Sequence, residues 1–490
     1  MPPRILVDIS TAWRMSGRPP VGVSRVEREI ARRLLDDTML RSLPVVFWAN
    51  TVYAVDRENA IRALADDGRS SLSPLLNPDS PDCDGGARPT TTSARASVAH
   101  ATQSVPRPGL KRRVRRIVRK IASVGARRVI RLTPARAKAE VEQSFLHARN
   151  VLVALLRSSP PQPRQERVPR PVDVINRSLL VVVHPLRDDI VWTCGLYSHC
   201  VPLRQLAEMK TRTGFRLASI CYDLIRVRRA EWNPEGYSTD VFVANTVDLL
   251  DASDMIFCIS GYVQDDLRRF AAESGRRMPP SKLLVLGADL PRHLGSSGDA
   301  PGHQVTRFAS KRFALTVGTI EPRKNYSLLL RVWDELSREP GFDLDLAIVG
   351  NEGFGAAGST AEIWASPLLG DRVHWLRDVA DNDLAFLYDR CHVFLCPSLD
   401  EGWGLPVVEA LAHGRPVISS DRGGLPEASR GQATLLNPLD KAAWMGAVRR
   451  AAARPREEVR ALATPTWDAA AAVVREGLLT LARDEWRGFR

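Results

Sequence analysis

No stretch of this sequence stays apolar over the roughly 18 residues that a membrane-spanning helix requires. Apolar runs such as residues 151–156 and 179–183 have the length of strands or helix faces. A polytopic membrane protein is therefore excluded. The 490 residues are 44% hydrophobic and 26% charged, which is ordinary for a globular protein and excludes a wholly disordered chain. This length suits about three domains of average size, or two larger ones.

Cysteine is scarce, and its spacing fits neither a zinc site nor a redox motif. The seven cysteines are odd in number, and most lie inside apolar runs, where we interpret them as buried small hydrophobic residues. The N-terminus reads as a short buried strand at residues 5–10, and it lacks the apolar stretch and cleavage site of a signal peptide. We therefore expect a cytosolic protein.

Acidic residues are absent from one segment, residues 107–138, which holds thirteen Lys and Arg. The net charge of the whole chain is +13, and the remaining 56 basic residues equal the 56 acidic ones. The positive charge therefore belongs to this segment. Leu110, Val114, Ile117 and Ile121 recur there at helical spacing with arginines on the other face, which predicts a basic amphipathic helix.

Three roles are open for this basic helix. An anionic membrane surface would attract it by about 1 kcal/mol per Lys or Arg, which would place the protein peripherally on the inner face of the cell membrane. The helix could instead pack on its own protein and leave its basic face in water. Phosphate contact in a nucleic acid is the third role, but no recognisable nucleic-acid-binding module surrounds the helix, so we expect no nucleic acid partner.

Strands and helices alternate along the rest of the chain, which predicts parallel sheets covered by helices. Before residue 295, the predicted strands are residues 5–10, 45–50, 178–183, 216–222, 255–260 and 283–287. After residue 300, they are residues 313–317, 344–349, 373–376, 393–396, 416–419 and 433–436. The fold class is therefore α/β, with two Rossmann-like domains facing across a cleft where the strands' carboxyl ends bind ligands.

The domain bounds follow from composition. Residues 60–175 contain the basic helix together with stretches rich in Ser, Thr, Pro, Ala and Gly that cannot form a core, so we interpret them as one insertion. This insertion interrupts an N-terminal domain of residues 1–295. A second domain covers residues 300–465, and a helix at residues 466–490 is expected to return to the first domain.

Two glutamates separated by seven residues mark the most specific stretch of the sequence. Glu401 and Glu409 flank a Gly-Trp-Gly turn that follows a predicted strand and opens a helix. Backbone N–H groups at such a turn and at a helix N-terminus form a ready anion site. The carboxylate of Glu409 can accept hydrogen bonds from a ribose diol, and that of Glu401 can meet sugar hydroxyls.

A pair of cations follows the first strand of the second domain, again near a helix start. Arg323 has a planar fork of donors and Lys324 is a point charge, and together they could neutralise a diphosphate. Fixed cations and a helix dipole can neutralise a diphosphate without a metal ion. We therefore expect no metal cofactor.

These elements resemble the retaining GT-B glycosyltransferases of family 4. The resemblance rests on the Glu-x7-Glu element, on residues 318–325 and on the Gly-Gly-Leu-Pro-Glu segment at 423–427, and it is strong over residues 310–450. It extends weakly through residues 1–55 and 178–290, which are similar to mannosyl- and rhamnosyltransferases that build bacterial surface polysaccharides. It implies the GT-B fold and transfer of a hexose from a nucleotide-sugar to a glycan or lipid-linked acceptor, with retention of anomeric configuration.

The resemblance also implies a role for each candidate residue. Glu409 would hold the ribose of a GDP- or UDP-sugar, and Arg323 and Lys324 would hold its diphosphate. Glu401 would hold the transferred sugar, and Asp223 would face that sugar or the acceptor. The other donor-binding positions implied are Gly22, Gly318, Thr319, Val379, Gly402, Trp403, Gly404 and Leu405.

The resemblance also implies roles for backbone groups, and at two positions this sequence lacks the residue that many family members carry. The amides of residues 402–405 would meet the sugar and phosphate, residues 373–379 would line the base, and Gly22 would let the first domain approach the phosphates. Many members of the family carry Arg where this chain has Thr319, and many have a His near the sugar where it has Tyr222 followed by an aspartate. The phosphate grip would therefore depend more on the two cations.

Two other functions remain open from the residues alone. One is a nucleotide-binding, membrane-associated scaffold with a degenerate transferase fold, and the other is a GT-B-fold sugar epimerase. An epimerase needs acid and base residues at the sugar, and none stands out. The four intact charged residues Arg323, Lys324, Glu401 and Glu409 argue against the scaffold.

Overall fold

The computed structural model describes most of the chain on either side of the predicted insertion. The described residues are 3–14, 22–48, 51–64, 180–194, 203–233, 237–289, 302–353, 355–456 and 465–483. They form two sheets, each flanked by helices, and we refer to these two halves as the first lobe and the second lobe. The predicted basic helix at 107–138 and most of the predicted insertion lie outside the described residues.

The sheet of the first lobe has eight strands in the order β4-β3-β2-β1-β5-β6-β7-β8. Strand β3 pairs antiparallel with β2 and β4, and the other neighbours are parallel. The strands are β1 (Arg4–Asp8), β2 (Arg41–Trp48), β3 (Thr51–Ala54), β4 (Val181–Val183), β5 (Ile190–Thr193), β6 (Arg216–Cys221), β7 (Met255–Cys258) and β8 (Ser281–Leu283). All six predicted strands are present with shifted bounds, whereas β3 and β5 were not predicted.

The helices of the first lobe cover this sheet through apolar faces. In the second of them, Val26, Ile30 and Leu34 lie at helical spacing and are all buried. The helices are α1 (Ser10–Arg14), α2 (Val23–Asp36), α3 (Arg57–Leu64), α4 (Leu203–Thr213), α5 (Ile225–Arg228), α6 (Thr239–Ala252) and α7 (Gly261–Glu273). Because Ala60 and Leu64 of α3 are buried in the same core, the start of the predicted insertion belongs to the folded lobe.

The sheet of the second lobe has six parallel strands in the order β11-β10-β9-β12-β13-β14. They are β9 (Phe313–Val317), β10 (Asp345–Val349), β11 (Val373–Leu376), β12 (Val393–Cys396), β13 (Val417–Ser420) and β14 (Ala433–Leu436), each within one residue of its predicted bounds. The chain order reverses between β9 and β12. A doubly wound sheet binds ligands at this switch point, beyond the carboxyl ends of the strands.

Seven helices flank the second sheet, and the last helix of the described chain leaves it. The seven are α8 (His303–Thr306), α9 (Tyr326–Leu336), α10 (Ala357–Trp364), α11 (Asp381–Arg390), α12 (Leu405–Ala412), α13 (Leu425–Ser429) and α14 (Lys441–Ala452). Helix α15 (Trp467–Ala482) packs against α2, β5 and β7, and Trp467, Val474 and Leu478 are buried in the core of the first lobe. This helix therefore belongs structurally to the first lobe.

The α/β fold class predicted from the sequence is confirmed, with two Rossmann-like lobes. Within the described ranges, no helix combines the length and the apolar character needed to cross a membrane. The cysteines there are all buried and unpaired, namely Cys194, Cys221, Cys258, Cys391 and Cys396.

Candidate functional site

The two predicted cations follow β9, at the switch point of the second sheet. Arg323 and Lys324 lie in a single 3-10 turn, which Asn325 ends in the left-handed conformation at φ 54°. The side-chain amide of Asn325 donates to the carbonyl oxygens of Pro397 (3.1 Å) and Pro438 (3.0 Å). Because Pro397 directly follows β12, these bonds hold the turn against the loop that carries Glu401.

Glu401 lies at the centre of a buried ion cluster. One oxygen of its carboxylate accepts from Lys324 Nζ and the other from Arg323 Nη1, each at 2.5 Å, and Ser398 Oγ donates at 2.8 Å. Burial opposes ionisation of Glu401, but the charges of Arg323 and Lys324 outweigh it and lower the pKa to about 2. The carboxylate is therefore ionised at neutral pH and holds both cations in fixed positions.

The first lobe contributes to this cluster through Arg226. Glu321 Oε2 accepts from Arg323 Nε at 2.9 Å and from Arg226 Nη2 at 3.3 Å, so one carboxylate oxygen bridges arginines of the two lobes. Burial lowers the pKa of Arg226, and the like charge of Arg323 adds to that effect. Neither Glu321 nor Arg226 was predicted as a site residue; their positions, two residues before Arg323 and three after Asp223, were the available signals.

Asp223 and Gly402 lie where the two lobes touch. A Cβ atom at Gly402 would lie 2.2 Å from the carbonyl oxygen of Tyr222 and 3.2 Å from Cβ of Asp223, so only glycine fits. Ser260 Oγ donates to the Gly402 carbonyl oxygen at 2.6 Å. Desolvation by neighbouring protein atoms raises the pKa of Asp223, and the charge of Arg323 opposes that rise. The residue as a whole is exposed to solvent.

The helix α12 begins beside this contact. Gly404 is its N-cap at φ 105°, a left-handed conformation that favours glycine, and Leu405 is its first residue. The side chain of Trp403 is buried in the apolar core of the first lobe. The groups that could meet an anion here are therefore the backbone N–H groups of residues 402–405, together with the positive end of the helix dipole.

Glu409 lies one turn inside α12 and is joined to both lobes. Its carboxylate accepts from Tyr388 Oη at 2.8 Å and from Arg25 Nη1 at 3.2 Å. Arg25 belongs to the first turn of α2, where Gly22 is the N-cap at φ 50° and its carbonyl oxygen accepts the Arg25 N–H at 3.1 Å. Arg25 was not predicted as a site residue, although it stands three residues after the predicted Gly22.

The remaining predicted positions are spread along the edge of the second sheet. A Cβ atom at Gly318 would lie 3.1 Å from Lys324 Nζ, so the absence of a side chain there leaves room for the ammonium group. Thr319 is half-buried with its methyl group against Gly353. Val379 follows β11, two strands away from β9, so the structure does not bring it into the ion cluster.

The described residues contain no group of three His, Cys, Asp or Glu side chains that could hold a metal ion. Arginine and lysine side chains supply positive charge around the Glu401 cluster. Three of them, Arg226, Arg323 and Lys324, surround the carboxylates of Glu321 and Glu401. Such an arrangement can bind an anionic group next to a polar ligand.

Comparison with known proteins identifies this domain. Residues 311–454 match the family model described as glycosyl transferases group 1. The chain is 32% identical over 244 residues to the serotype-specific mannosyltransferase WbdA of Escherichia coli. This alignment covers 48% of this chain and 30% of that protein. It is 30% identical over 194 residues to O-antigen chain mannosyltransferase B of Escherichia coli, covering 39% of this chain and 49% of that protein.

Both matches span less than half of the relative's length. Among solved structures, sucrose-phosphate synthase from Thermosynechococcus elongatus aligns with a TM-score of 0.48 and 21% identity, over 60% of this chain and 73% of that one. The resemblance seen in the sequence is confirmed over residues 311–454, which match the glycosyl transferases group 1 model.

Proposed function

We propose that the protein is a retaining glycosyltransferase that moves a hexose from a nucleotide-sugar to a glycan or lipid-linked acceptor in cell-surface polysaccharide biosynthesis. The observation that carries this proposal is the pair of cations Arg323 and Lys324, fixed on Glu401 at the switch point of the second sheet. The names of the two Escherichia coli relatives, both mannosyltransferases, support a hexose and favour mannose.

The donor would bind mainly to the second lobe. Glu409 would accept hydrogen bonds from the ribose hydroxyls of a GDP- or UDP-sugar, and Arg323 and Lys324 would face the diphosphate. Glu401 and the N–H groups at residues 402–405 would hold the transferred sugar and its phosphate. Glu401 fixes both cations before the reaction, so stabilising the leaving diphosphate needs no rearrangement of the site.

The reaction would exchange one bond at the anomeric carbon for another on the same face. The bond from the anomeric carbon to the diphosphate oxygen breaks, and the acceptor hydroxyl oxygen bonds to that carbon. The hydroxyl proton passes to the departing phosphate oxygen, so the diphosphate leaves with the electron pair and one proton. Asp223, exposed beside Gly402, would hydrogen-bond the sugar or the acceptor.

A donor screen tests this function. Thermal shift with GDP-, UDP-, ADP- and dTDP-sugars should show one nucleotide class that stabilises the wild type, since a ligand at about 100 times its Kd adds about 2.7 kcal/mol. Glu409→Ala should lose that stabilisation, and Glu339→Ala, a change at an exposed ion pair with Arg449, should keep it. Absence of stabilisation by every donor in the wild type would contradict the proposal.

Association with an anionic membrane surface is a separate proposal that rests on the charge of residues 107–138 alone. Attraction of thirteen Lys and Arg to anionic lipid would bring the enzyme to a lipid-linked acceptor. Flotation with vesicles containing anionic lipid should carry the whole chain upward and leave a variant lacking 107–138 behind. Equal flotation of the two proteins would overturn this role.

A further inference from the structure

Arg25 connects the two lobes at the predicted ribose carboxylate. Its Nη1 lies 3.2 Å from Glu409 Oε1, and its guanidinium also forms an ion pair with Asp381 at the start of α11. Arg25 is 6% exposed and Glu409 is 3% exposed. Because α2 belongs to the first lobe and α11 and α12 to the second, this contact forms only when the lobes are together.

A carboxylate buried this deeply needs a cation to remain charged. Burial raises the pKa of Glu409, and the Arg25 charge is the strongest effect that opposes it. The hydrogen bond from Tyr388 and the position of His413 also favour the ionised form, whereas the charge of Asp381 disfavours it. Without Arg25, Glu409 would face the Asp381 charge with one hydrogen-bond donor and a histidine.

The ionised form of this carboxylate is the stronger acceptor for ribose hydroxyls. An ionised carboxylate accepts about four hydrogen bonds and donates none. Arg25 occupies one site on Oε1 and Tyr388 occupies one on Oε2, which leaves one acceptor site on each oxygen for the two ribose hydroxyls. A protonated carboxyl group carries no charge and would hold the two hydroxyls through weaker, neutral hydrogen bonds.

We propose that Arg25 is a positioning residue that keeps the Glu409 carboxylate charged and oriented toward the ribose diol of the donor. The inference rests on the proposed function, because it assumes a ribonucleotide donor. It extends that function by giving the first lobe a part in ribose recognition. Donor affinity thereby depends on contact between the lobes.

The test compares wild type with Arg25→Met, Arg25→Lys and Arg32→Met, the last a change at an exposed residue of the same helix. Isothermal titration calorimetry would measure the Kd for GDP and UDP, and for their 2′,3′-dideoxy analogues, between about pH 6 and about pH 8.5. Tyr388, Asp381 and His413 face Glu409 unchanged in every variant, so the ratio of Kd values between variant and wild type reports the loss of the Arg25 charge.

Arg25→Met should weaken binding of the ribonucleotide about tenfold at the acidic end and recover toward alkaline pH, as Glu409 loses its proton. The dideoxy analogue should bind all variants alike, Arg25→Lys should restore most of the affinity, and Arg32→Met should match wild type.

Two results would overturn the inference while leaving the function intact. Tighter ribonucleotide binding by Arg25→Met would mean that Arg25 competes with the ribose. An equal loss for both analogues at every pH would mean that Arg25 only supports the structure. If wild type binds neither GDP nor UDP, this inference fails, and the proposed function fails with it only when no donor of the thermal-shift screen stabilises the wild type.

Discussion

Glu401 links Lys324 and Arg323 through its two carboxylate oxygens, each at 2.5 Å. The two cations come from the loop after β9 and the glutamate from the loop after β12, so the cluster joins the two strands that border the switch point. An additional bond from Ser398 fixes the carboxylate itself. The cluster therefore presents cations in set positions at the place where a doubly wound sheet binds its ligand.

Glu401→Gln should disable this arrangement. A glutamine side chain has one acceptor oxygen and no charge, so it can hold Lys324 or Arg323 but not both. We expect kcat/KM for glycosyl transfer to fall about 10²- to 10³-fold, the range seen when a fixed electrostatic group is lost from an active site. Steady-state kinetics with the donor identified by thermal shift would measure it.

The matched control is Glu339→Gln, which removes a carboxylate from an exposed ion pair with Arg449 and should leave the rate unchanged. A Glu401→Gln enzyme as active as this control would show that the cluster has no part in catalysis.

Asp400 should make the protein less stable as the pH rises. Burial raises its pKa to about 6 from 3.8, although Tyr262 donates to it at 3.3 Å. The folded pKa is higher than the unfolded one, so this contribution is fully present below the ordinary pKa and is lost as the pH rises through about 6. Asp400→Asn should therefore stabilise the protein by about 1–2 kcal/mol at neutral pH.

Urea unfolding at several pH values would measure this difference. Asp421→Asn, at an exposed carboxylate paired with Arg422, provides the control and should follow the wild-type profile. An Asp400→Asn protein that is less stable than wild type at neutral pH would contradict the expectation.

Gly402→Ala should keep the lobes apart. The added methyl group would lie 2.2 Å from the Tyr222 carbonyl oxygen, which is closer than van der Waals contact allows. Because that oxygen belongs to the backbone of the other lobe, one of the two backbones must shift. We expect an increased radius of gyration by small-angle X-ray scattering and loss of transfer activity, with each lobe still folded. Gly358→Ala, in α10 with no neighbouring atom within 4 Å, should leave both properties unchanged. An unaltered radius of gyration in Gly402→Ala would show that this contact does not set the distance between lobes.

The sequence predicts the second lobe better than the first for physical reasons. Each strand of the second sheet is a short apolar run with turn residues after it, and all six were found. Strand β5 has only four residues and follows two aspartates, so its pattern resembles a loop, yet it lies between β1 and β6 at the centre of the first sheet. Burial on both faces, which only the folded sheet reveals, makes it a strand.

Contacts between the lobes were beyond prediction from one sequence. Arg25 and Glu409 are 384 positions apart, and Arg226 and Glu321 are 95 apart. No local spacing relates such residues, because their contact depends on how two separately folded lobes meet. The Glu401 cluster was accessible because its members follow neighbouring strands of one sheet, and the carboxyl ends of parallel strands share an edge.

Two buried acidic residues of the first lobe, Asp8 and Glu27, should make the stability of that lobe depend on pH. Both carboxyl groups are fully buried; Asp8 accepts from Ser10 Oγ at 2.5 Å and Thr193 Oγ1 at 2.6 Å, and Glu27 accepts from the Ala12 N–H at 2.5 Å. Burial raises the pKa of Glu27 well above 4.5, and the charge of Asp8 raises it further.

The sign follows from the raised folded pKa. The stabilising contribution of neutral Glu27 is complete below about pH 4.5 and is lost as the pH rises through the folded pKa, where a buried charge must form. Wild type should therefore lose stability relative to Glu27→Gln as the pH rises above about 4.5, because the amide of the variant carries no charge and its oxygen still accepts the Ala12 N–H. Chemical denaturation at several pH values above about 4.5 would measure the difference in unfolding free energy.

The control is Glu29→Gln, two residues along the same helix at a carboxylate paired with Arg33, and it should follow wild type. A constant difference between wild type and Glu27→Gln at every pH would mean that Glu27 does not change its charge within this range.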